Sequence, residues 1–372
     1  MSEGRPSKLV VLTHSLTGGG AERFASTLVR HLDRRRFHPS VLAATAERTY
    51  QVPADVPVSV LGYRGPLDLP RTVLATRRHL AELAPDLVLS NVLSTNCLAG
   101  GALWRRPEPP AWVARVGNAP ELAEPWWQRL WAERVYPRAR FVVSNSARMA
   151  EAVAREYPEL APRLRVLPNP TDFAALDSLA AAPPTHRRGE EEARLIWVGR
   201  LTPQKRPLLA LEALARLRQE VDARLWLCGS GPLAEAVERQ VEKLELGDAV
   251  EQLGFVANPF PLLAQADLFL LTSDFEGLPN ALIEAQGLGV PALATSCPYG
   301  PDEIVEEGVT GRLVPPGQAG VLAWEARQLL ADRPQLLEMG RAARERARRL
   351  FDLAAVLPRW QALLLEAVGE SA

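Results

Sequence analysis

The chain has 372 residues, too many for one ordinary core, so two domains are expected. With 47% hydrophobic and 23% charged residues and a formal net charge of −1, the composition is globular. No apolar run approaches the ~18 residues a membrane span requires, and the opening MSEGRPSK lacks the apolar stretch of a signal peptide. Cys97, Cys228 and Cys297 lie far apart and match no metal or redox spacing, so they read as small buried residues of a reducing compartment and a cytoplasmic protein is expected.

The early elements alternate between strand and helix. A strand at 8–12 leads to the turn Thr17-Gly18-Gly19-Gly20, and a helix then carries Ala21, Phe24, Ala25, Leu28 and Leu32 on one face. Strands follow at 40–43, 58–61, 87–90, 112–115 and 141–144, with helical stretches between them, notably 69–83. Strands that are apolar throughout and separated by helices indicate a parallel sheet covered on both faces. At 171–192 two adjacent prolines and a charged run read as a linker. The alternation then restarts, with strands at 195–198, 224–228, 250–253, 268–272 and 290–294 and helices at 207–219, 233–246 and 279–287. The segment 318–368 is nearly all helical in pattern. Two α/β domains facing a cleft are expected, with loops at the carboxyl ends of strands supplying the site.

Three segments carry chemistry. In Thr17-Gly18-Gly19-Gly20-Ala21-Glu22, glycines between a strand and a helix start let backbone amides approach an anion; the same residues also fit a bare flexible turn. In the run from Val198 to Arg206, Arg200 and Lys205 stand five residues apart beyond a strand and can converge on a diphosphate. In the run from Ser273 to Ala285, Glu276 lies in a loop, Pro279 suits a first helical turn and Glu284 lies about one turn in. Glu284 is placed to accept bonds from ribose hydroxyls, while both acids also fit a helix dipole or solvent. A fourth segment, Gly229-Ser230-Gly231-Pro232-Leu233-Ala234, fits the dinucleotide fingerprint G-x-G-x-x-A, with Glu251 about 20 residues on. It opens the second strand unit of its domain rather than the first and accompanies two other anion loops, which argues against an oxidoreductase.

The ordered set GGGAE, Pro168-Asn169-Pro170, GRLTPQKRP, CGSGPL, GFVANPF, DFEGLPNALIEA and CPYGPDEIVEEGVTGRLVPPG resembles the family-4 retaining glycosyltransferases, also known as glycosyl transferases group 1. Glu276 and Glu284 match that family's E-x7-E element. The resemblance implies the GT-B fold, with two facing Rossmann-like domains, a cleft between them and a C-terminal helix crossing back. It divides the chain into an acceptor-side domain at 1–170, a linker at 171–192, a donor domain at 193–350 and a returning helix at 351–372. It implies sugar transfer from a nucleotide-diphosphate sugar, expected to be a UDP-sugar, to a saccharide or lipid-linked saccharide, with no other cofactor. Arg200, Lys205 and Glu276 would be catalytic. Amides at Gly19 and Gly20 would help hold the diphosphate, Glu284 the ribose and Glu276 the sugar hydroxyls. Gly277, Leu278, Pro279 and Asn280 would meet the phosphate–sugar region, and Phe255 and Val256 would lie near the base. Positive side chains and helix N-termini can stabilise the leaving diphosphate without a metal, and the chain holds no D-x-D motif.

The acceptor side is expected to include Glu22, Arg115 and Asn118. Many members carry a His where this chain has Gly117 and Asn118, and a subset shows an Arg–Asn pairing there. That departure keeps a second expectation open, a non-catalytic sugar-nucleotide-binding or scaffold protein of the same fold. His14, near the glycine loop, reads as structural. Residues 1–182 hold 23 Lys and Arg against 17 Asp and Glu, and the remainder 20 against 27. The basic half and the Trp- and Arg-rich run 125–138, with Trp127, Leu130, Trp131 and Arg134 at helical spacing, fit a peripheral contact with the inner face of the cytoplasmic membrane. The run equally fits a core-facing helix, and the charge asymmetry equally fits ordinary variation between domains. No nucleic-acid module is present.

Overall fold

The structure, a computed structural model, describes residues 5–117, 126–184, 186 and 192–370. The chain forms two compact units, one of residues 1–170 with 353–372 and the other of 171–352.

The first unit is built on seven parallel strands, β1 (Ser7–Thr13), β2 (Phe37–Ala43), β3 (Val58–Val60), β4 (Leu87–Ser90), β5 (Ala111–Val116), β6 (Phe141–Ser144) and β7 (Leu164–Val166). Their order is β3-β2-β1-β4-β5-β6-β7, so the direction of winding reverses between β1 and β4. Helix Gly20–His31 buries Phe24, Ala25, Leu28 and Val29 against this sheet. Helix Leu353–Val368 belongs to the same unit. Its Val356, Trp360, Leu363, Leu364 and Ala367 recur at helical spacing and form one stripe inside the core. Trp360 is fully buried, lies 4.8 Å from the Phe24 ring and donates its indole N–H to the Pro168 carbonyl at 2.9 Å.

The second unit holds β8 (Ala193–Val198), β9 (Ala223–Cys228), β10 (Val250–Gly254), β11 (Leu268–Leu271), β12 (Ala292–Thr295) and β13 (Gly311–Val314). Their order is β10-β9-β8-β11-β12-β13, all parallel, with the reversal between β8 and β11. Side chains alternate strictly between faces. Leu195, Trp197, Leu225, Leu227, Leu268 and Leu270 enter one core, and Ile196, Trp226, Cys228, Phe269 and Leu271 enter the other. Both faces are covered by helices, which is why the runs 195–198, 225–228 and 268–271 are apolar at every position rather than at every second one.

Two short strands, β7 and β13, were not among the sequence expectations. Both are edge strands of three or four residues with partly exposed side chains, too short for a period to register. The expected linker is partly structured. Helix Phe173–Ala180 is capped by Asp172 and buries Phe173 and Leu176 in the second unit's core, where a Cβ on Gly287 would strike the Phe173 ring. Arg344 and Arg348 both reach Asp177 on this helix. Among the described residues no helix is long and apolar enough to cross a membrane.

Candidate functional site

In an open parallel sheet, a crevice forms where the winding reverses, because the loops after the two central strands diverge there. In the second unit those loops follow β8 and β11, and they are laced together. Asp274 N–H donates to the Gln204 carbonyl at 2.9 Å, and Gln204 Nε2 donates to the Phe275 carbonyl at 2.8 Å. Thr272 Oγ1 reaches the carbonyls of Lys205 and Arg206 at 2.8 and 3.0 Å. The Arg206 guanidinium lies 3.2 Å from Asp274 Oδ1. Arg206 adopts φ 48°, a left-handed conformation that costs a non-glycine residue about 1–2 kcal/mol.

This lacing places Lys205 Nζ 2.5 Å from Glu276 Oε1, and Ser273 Oγ donates to the same oxygen at 2.6 Å. Glu276 is 4% exposed, so its charge is held by an ammonium and a hydroxyl rather than by bulk water. Arg200, by contrast, is exposed, and its side chain makes no hydrogen bond or ion pair among the described residues. Gly277, Leu278 and Pro279 are buried, and Pro279 caps helix Asn280–Gly287, so the helix begins one residue later than expected. Glu284 lies one turn in and is 5% exposed.

The segment after β12 supports this loop from below. Glu276 N–H donates to the Pro298 carbonyl at 3.1 Å, and a Cβ on Gly300, whose φ is 92°, would come within 2.5 Å of the Gly277 carbonyl. Phe255 and Val256 lie at the same carboxyl edge of the sheet, where Gly229 N–H donates to the Gly254 carbonyl at 2.7 Å. They follow β10, an edge strand two places from β8, with Phe255 58% exposed and Val256 half-buried.

The glycines of the dinucleotide-like segment have a packing role. A Cβ on Gly229 would collide with the Gly199 carbonyl, and one on Gly231 would fall 2.6 Å from the Leu201 carbonyl. Leu201 N–H donates to the Ser230 carbonyl and Leu233 N–H to the Leu201 carbonyl, at 2.8 and 2.9 Å. The segment is a platform under the loop that carries Arg200.

In the first unit the reversal brings the loop after β1 beside Asn91, which follows β4. Gly18 has φ 74°, Gly19 caps the helix that starts at Gly20, and Glu22 lies in its first turn. A Cβ on Gly19 would meet the Glu22 carboxylate, and Asn91 Nδ2 donates to the Ala21 carbonyl. Arg115, near the carboxyl end of β5, is 1% exposed. Its guanidinium donates to the Asn91 carbonyl at 3.2 Å, to Asn91 Oδ1 at 3.0 Å and to Asn169 Oδ1 at 2.6 Å, and lies 4.5 Å from the Phe24 ring centre. Burial pulls its pKa down to about 10, opposed by the charge of Glu22, so it stays cationic at neutral pH. A Cβ on Gly117 would sit 2.5 Å from this guanidinium, so glycine there makes the room it occupies. Asn118 lies outside the described residues.

His14 is half-buried, edge-on to Tyr63 at 6.0 Å, and burial lowers its pKa against the opposing charge of Glu47. In helix Trp126–Val135, Ala132 and Val135 are buried and Trp131 Nε1 donates to the Cys97 carbonyl at 3.2 Å, while Leu130 is 44% exposed. That face of the helix packs inward; the Trp127 side chain lies outside the described residues.

The structure thus joins Lys205 to Glu276 and places Gly277, Leu278, Pro279, Asn280 and Glu284 directly after them. Gly19, Gly20, Glu22 and Arg115 belong to the other unit. Sequence reasoning gave no role to Gln204, Thr272, Ser273, Asn91 or Asn169. Ser273 and Asn91 had a usable signal, since each is a polar residue immediately beyond a strand expected from the sequence, at 268–272 and 87–90.

Two family models match the chain, glycosyltransferase family 4 over residues 18–175 and glycosyl transferases group 1 over residues 181–346. An uncharacterized glycosyltransferase of Methanocaldococcus jannaschii is 26% identical over 61% of this chain and 59% of its own length. The chain spans less than two thirds of that relative. A Campylobacter jejuni protein is 26% identical over 96% of this chain and 98% of its own length. It is named as an α-1,4-N-acetyl-D-galactosaminyltransferase acting on a saccharide carried by diNAcBac-PP-undecaprenol. The fold is shared with Anabaena Alr3699/HepE, solved in complex with UDP-glucose, at a TM-score of 0.78 and 22% identity over 97% of this chain and 100% of that one. With the two family models matching successive stretches that make up most of the chain, on a two-domain parallel α/β architecture, the chain belongs to the family-4 glycosyltransferases of the GT-B fold.

Proposed function

We propose that this glycosyltransferase is a retaining enzyme that moves a hexose or N-acetylhexosamine from a UDP-sugar to a saccharide or lipid-linked saccharide, in polysaccharide or glycolipid biosynthesis. The observation that carries the reading is the Lys205–Glu276 pair beside an exposed, unengaged Arg200 at the crevice of the second unit. The UDP-glucose held by the Anabaena neighbour and the lipid-linked acceptor of the Campylobacter relative support the two substrate classes.

Arg200 offers a planar fork and Lys205 a compact charge to the donor diphosphate. Lys205 keeps two further N–H donors when one is spent on Glu276. Glu276 accepts from hydroxyls of the sugar, and Glu284 from those of the ribose. The bond from the anomeric carbon to the diphosphate breaks with its electrons going to the diphosphate oxygen. The acceptor oxygen bonds the same carbon from the same face, and its proton passes to a diphosphate oxygen. Charge developing on the leaving group is met by fixed cations and helix amides, a type of stabilisation whose loss costs ~10²–10³ in rate per donor.

The test is a panel of UDP-, GDP- and ADP-sugars, scored for binding and hydrolysis with and without EDTA, in the wild type, Arg200→Ala and Glu284→Ala. Slow, EDTA-insensitive release of UDP that both variants lose, with product keeping the donor's anomeric configuration by NMR, is the expected result. Inverted product would overturn the retaining mechanism, and preference for another base would overturn the donor. Nucleotide binding without turnover, even with lipid-linked acceptors, would make the chain a non-catalytic binder.

A further inference from the structure

At the amino ends of β5, β6 and β7, the first unit has a second concavity, at the opposite end of the sheet from Asn91 and Arg115. It is a groove open to solvent with a volume of about 670 Å³, within the range of small-molecule sites. Its walls are the segment entering β5, the turns entering β6 and β7, and residues 366–369 at the end of helix Leu353–Val368.

Four arginines line it, the exposed Arg138, Arg140 and Arg163 and the half-buried Arg165, against one acid, Glu366. Glu366 stands 3.9 Å from Arg165, and among the described residues the other three have no carboxylate partner. Their positions are fixed by neutral groups. Arg163 donates to the carbonyls of Pro137 and Ala139 at 2.5 and 2.8 Å, and Arg165 to those of Pro162 and Leu164 at 3.0 and 2.9 Å. Arg138 donates to the Arg134 carbonyl at 2.6 Å and lies 3.6 Å from the Trp104 ring centre. Arg140 and Arg165 share the Phe141 ring, at 5.6 and 4.6 Å from its centre.

Carbonyls and rings orient a guanidinium without cancelling its charge, and each arginine has five N–H donors, of which these contacts use one or two. Capping of turn ends explains where three of these side chains point. It does not explain why four cations line one groove with a single acid, since like charges repel even where solvent and salt screen them. A multivalent anion removes that repulsion, and phosphate matches the arginine fork.

We infer that this groove is a second anion site, separate from the transfer crevice, and that it binds a ligand bearing a diphosphate or clustered phosphates. The source is either a free phosphate compound or the headgroups of an anionic lipid. Titration calorimetry of the full chain with inorganic diphosphate reads the free form. Co-sedimentation with phosphatidylglycerol-containing vesicles, against phosphatidylcholine alone, reads the lipid form.

The wild type is expected to take up two equivalents of diphosphate. Arg200→Ala/Lys205→Ala should retain one, and adding Arg140→Gln/Arg163→Gln should abolish it, with binding at least tenfold weaker. Arg140→Gln alone is the control for folding, because the Arg140 side chain makes no hydrogen bond among the described residues. It should weaken the retained site with melting unchanged, and Arg140→Lys should restore part of it. Raising salt should weaken this site strongly, as for exposed charges. Vesicle binding that needs anionic lipid and is lost in Arg140→Gln, without a second diphosphate equivalent, assigns the groove to headgroups. A single equivalent lost entirely in Arg200→Ala/Lys205→Ala, together with no vesicle binding, would overturn the inference and leave the transfer site standing.

Discussion

Arg200 and Arg115 stand near the carboxyl ends of strands close to the winding reversal of their own sheets, yet they meet opposite surroundings. In the second unit the charged groups are paired across loops, Lys205 with Glu276 and Arg206 with Asp274, while Arg200 is left exposed. In the first unit the cation is sealed in, and its hydrogen bonds go to carboxamide and carbonyl oxygens that carry no formal charge. One topology therefore supports two uses of an arginine. Displayed in water, it is available to a ligand at little cost to the fold. Buried among asparagines, it joins β5, the residue after β4 and the crossing segment at Asn169, and the fold depends on it.

The largest effect that would test this contrast is on turnover. Arg200→Ala should lower kcat by ~10²–10³-fold, the loss typical of one donor to a developing anion, with its melting temperature unchanged. A variant that melts early would mean that Arg200 supports the fold after all. Arg115→Met reverses the pattern. It removes the buried donor that Asn91 and Asn169 share, and unfolding in urea should show a loss of about 3 kcal/mol. Full stability with lost activity would instead make Arg115 a ligand-contacting group.

A smaller effect is expected at the platform under Arg200. Gly229→Ala puts a Cβ into the Gly199 carbonyl, and overpacking of this kind costs about 1–3 kcal/mol. Because the loop must shift, KM for the donor should rise more than thermal stability falls. The smallest effect concerns His14, whose burial favours the neutral ring. The unfolded chain takes up a proton near pH 6.5 that the folded ring resists, so its contribution is complete above that pH and is lost as pH falls from there through the lower value of the folded ring. Melting temperatures from pH 7.5 to 5.5 should fall less steeply in His14→Gln than in the wild type.

Much of this was readable beforehand for physical reasons. Doubly covered strands carry unbroken apolar runs, so β1, β4, β8 and β11 stand out from any flanking helix. Lys205 and Glu276 were visible because each stands in the loop beyond such a strand. Their direct contact was not, since 71 residues separate them and only the strand order brings their loops together. The buried state of Arg115 was equally hidden. It required Asn91 and Asn169, 24 and 54 residues away, to converge on it. Gly229 and Gly231 fitted a phosphate-binding fingerprint because close approach of backbone to backbone demands glycine as strictly as close approach to a ligand does. The helix Phe173–Ala180 escaped because the prolines just beyond it dominated the composition of the window.

The placement of helix Leu353–Val368 sets an order of events during synthesis. The second unit is one continuous stretch, complete once residue 352 has left the ribosome. The first unit begins earlier and finishes later, because Trp360 and its neighbours are part of its core. Until they emerge, Phe24 and the Pro168 carbonyl lack the partner that covers them. The segment made first therefore waits for the segment made last, and the middle of the chain matures before either. Domains that fold as units normally do so in order of synthesis; here the order is inverted, and a nascent chain stalled before residue 353 should hold a protease-resistant second unit behind a protease-sensitive first one.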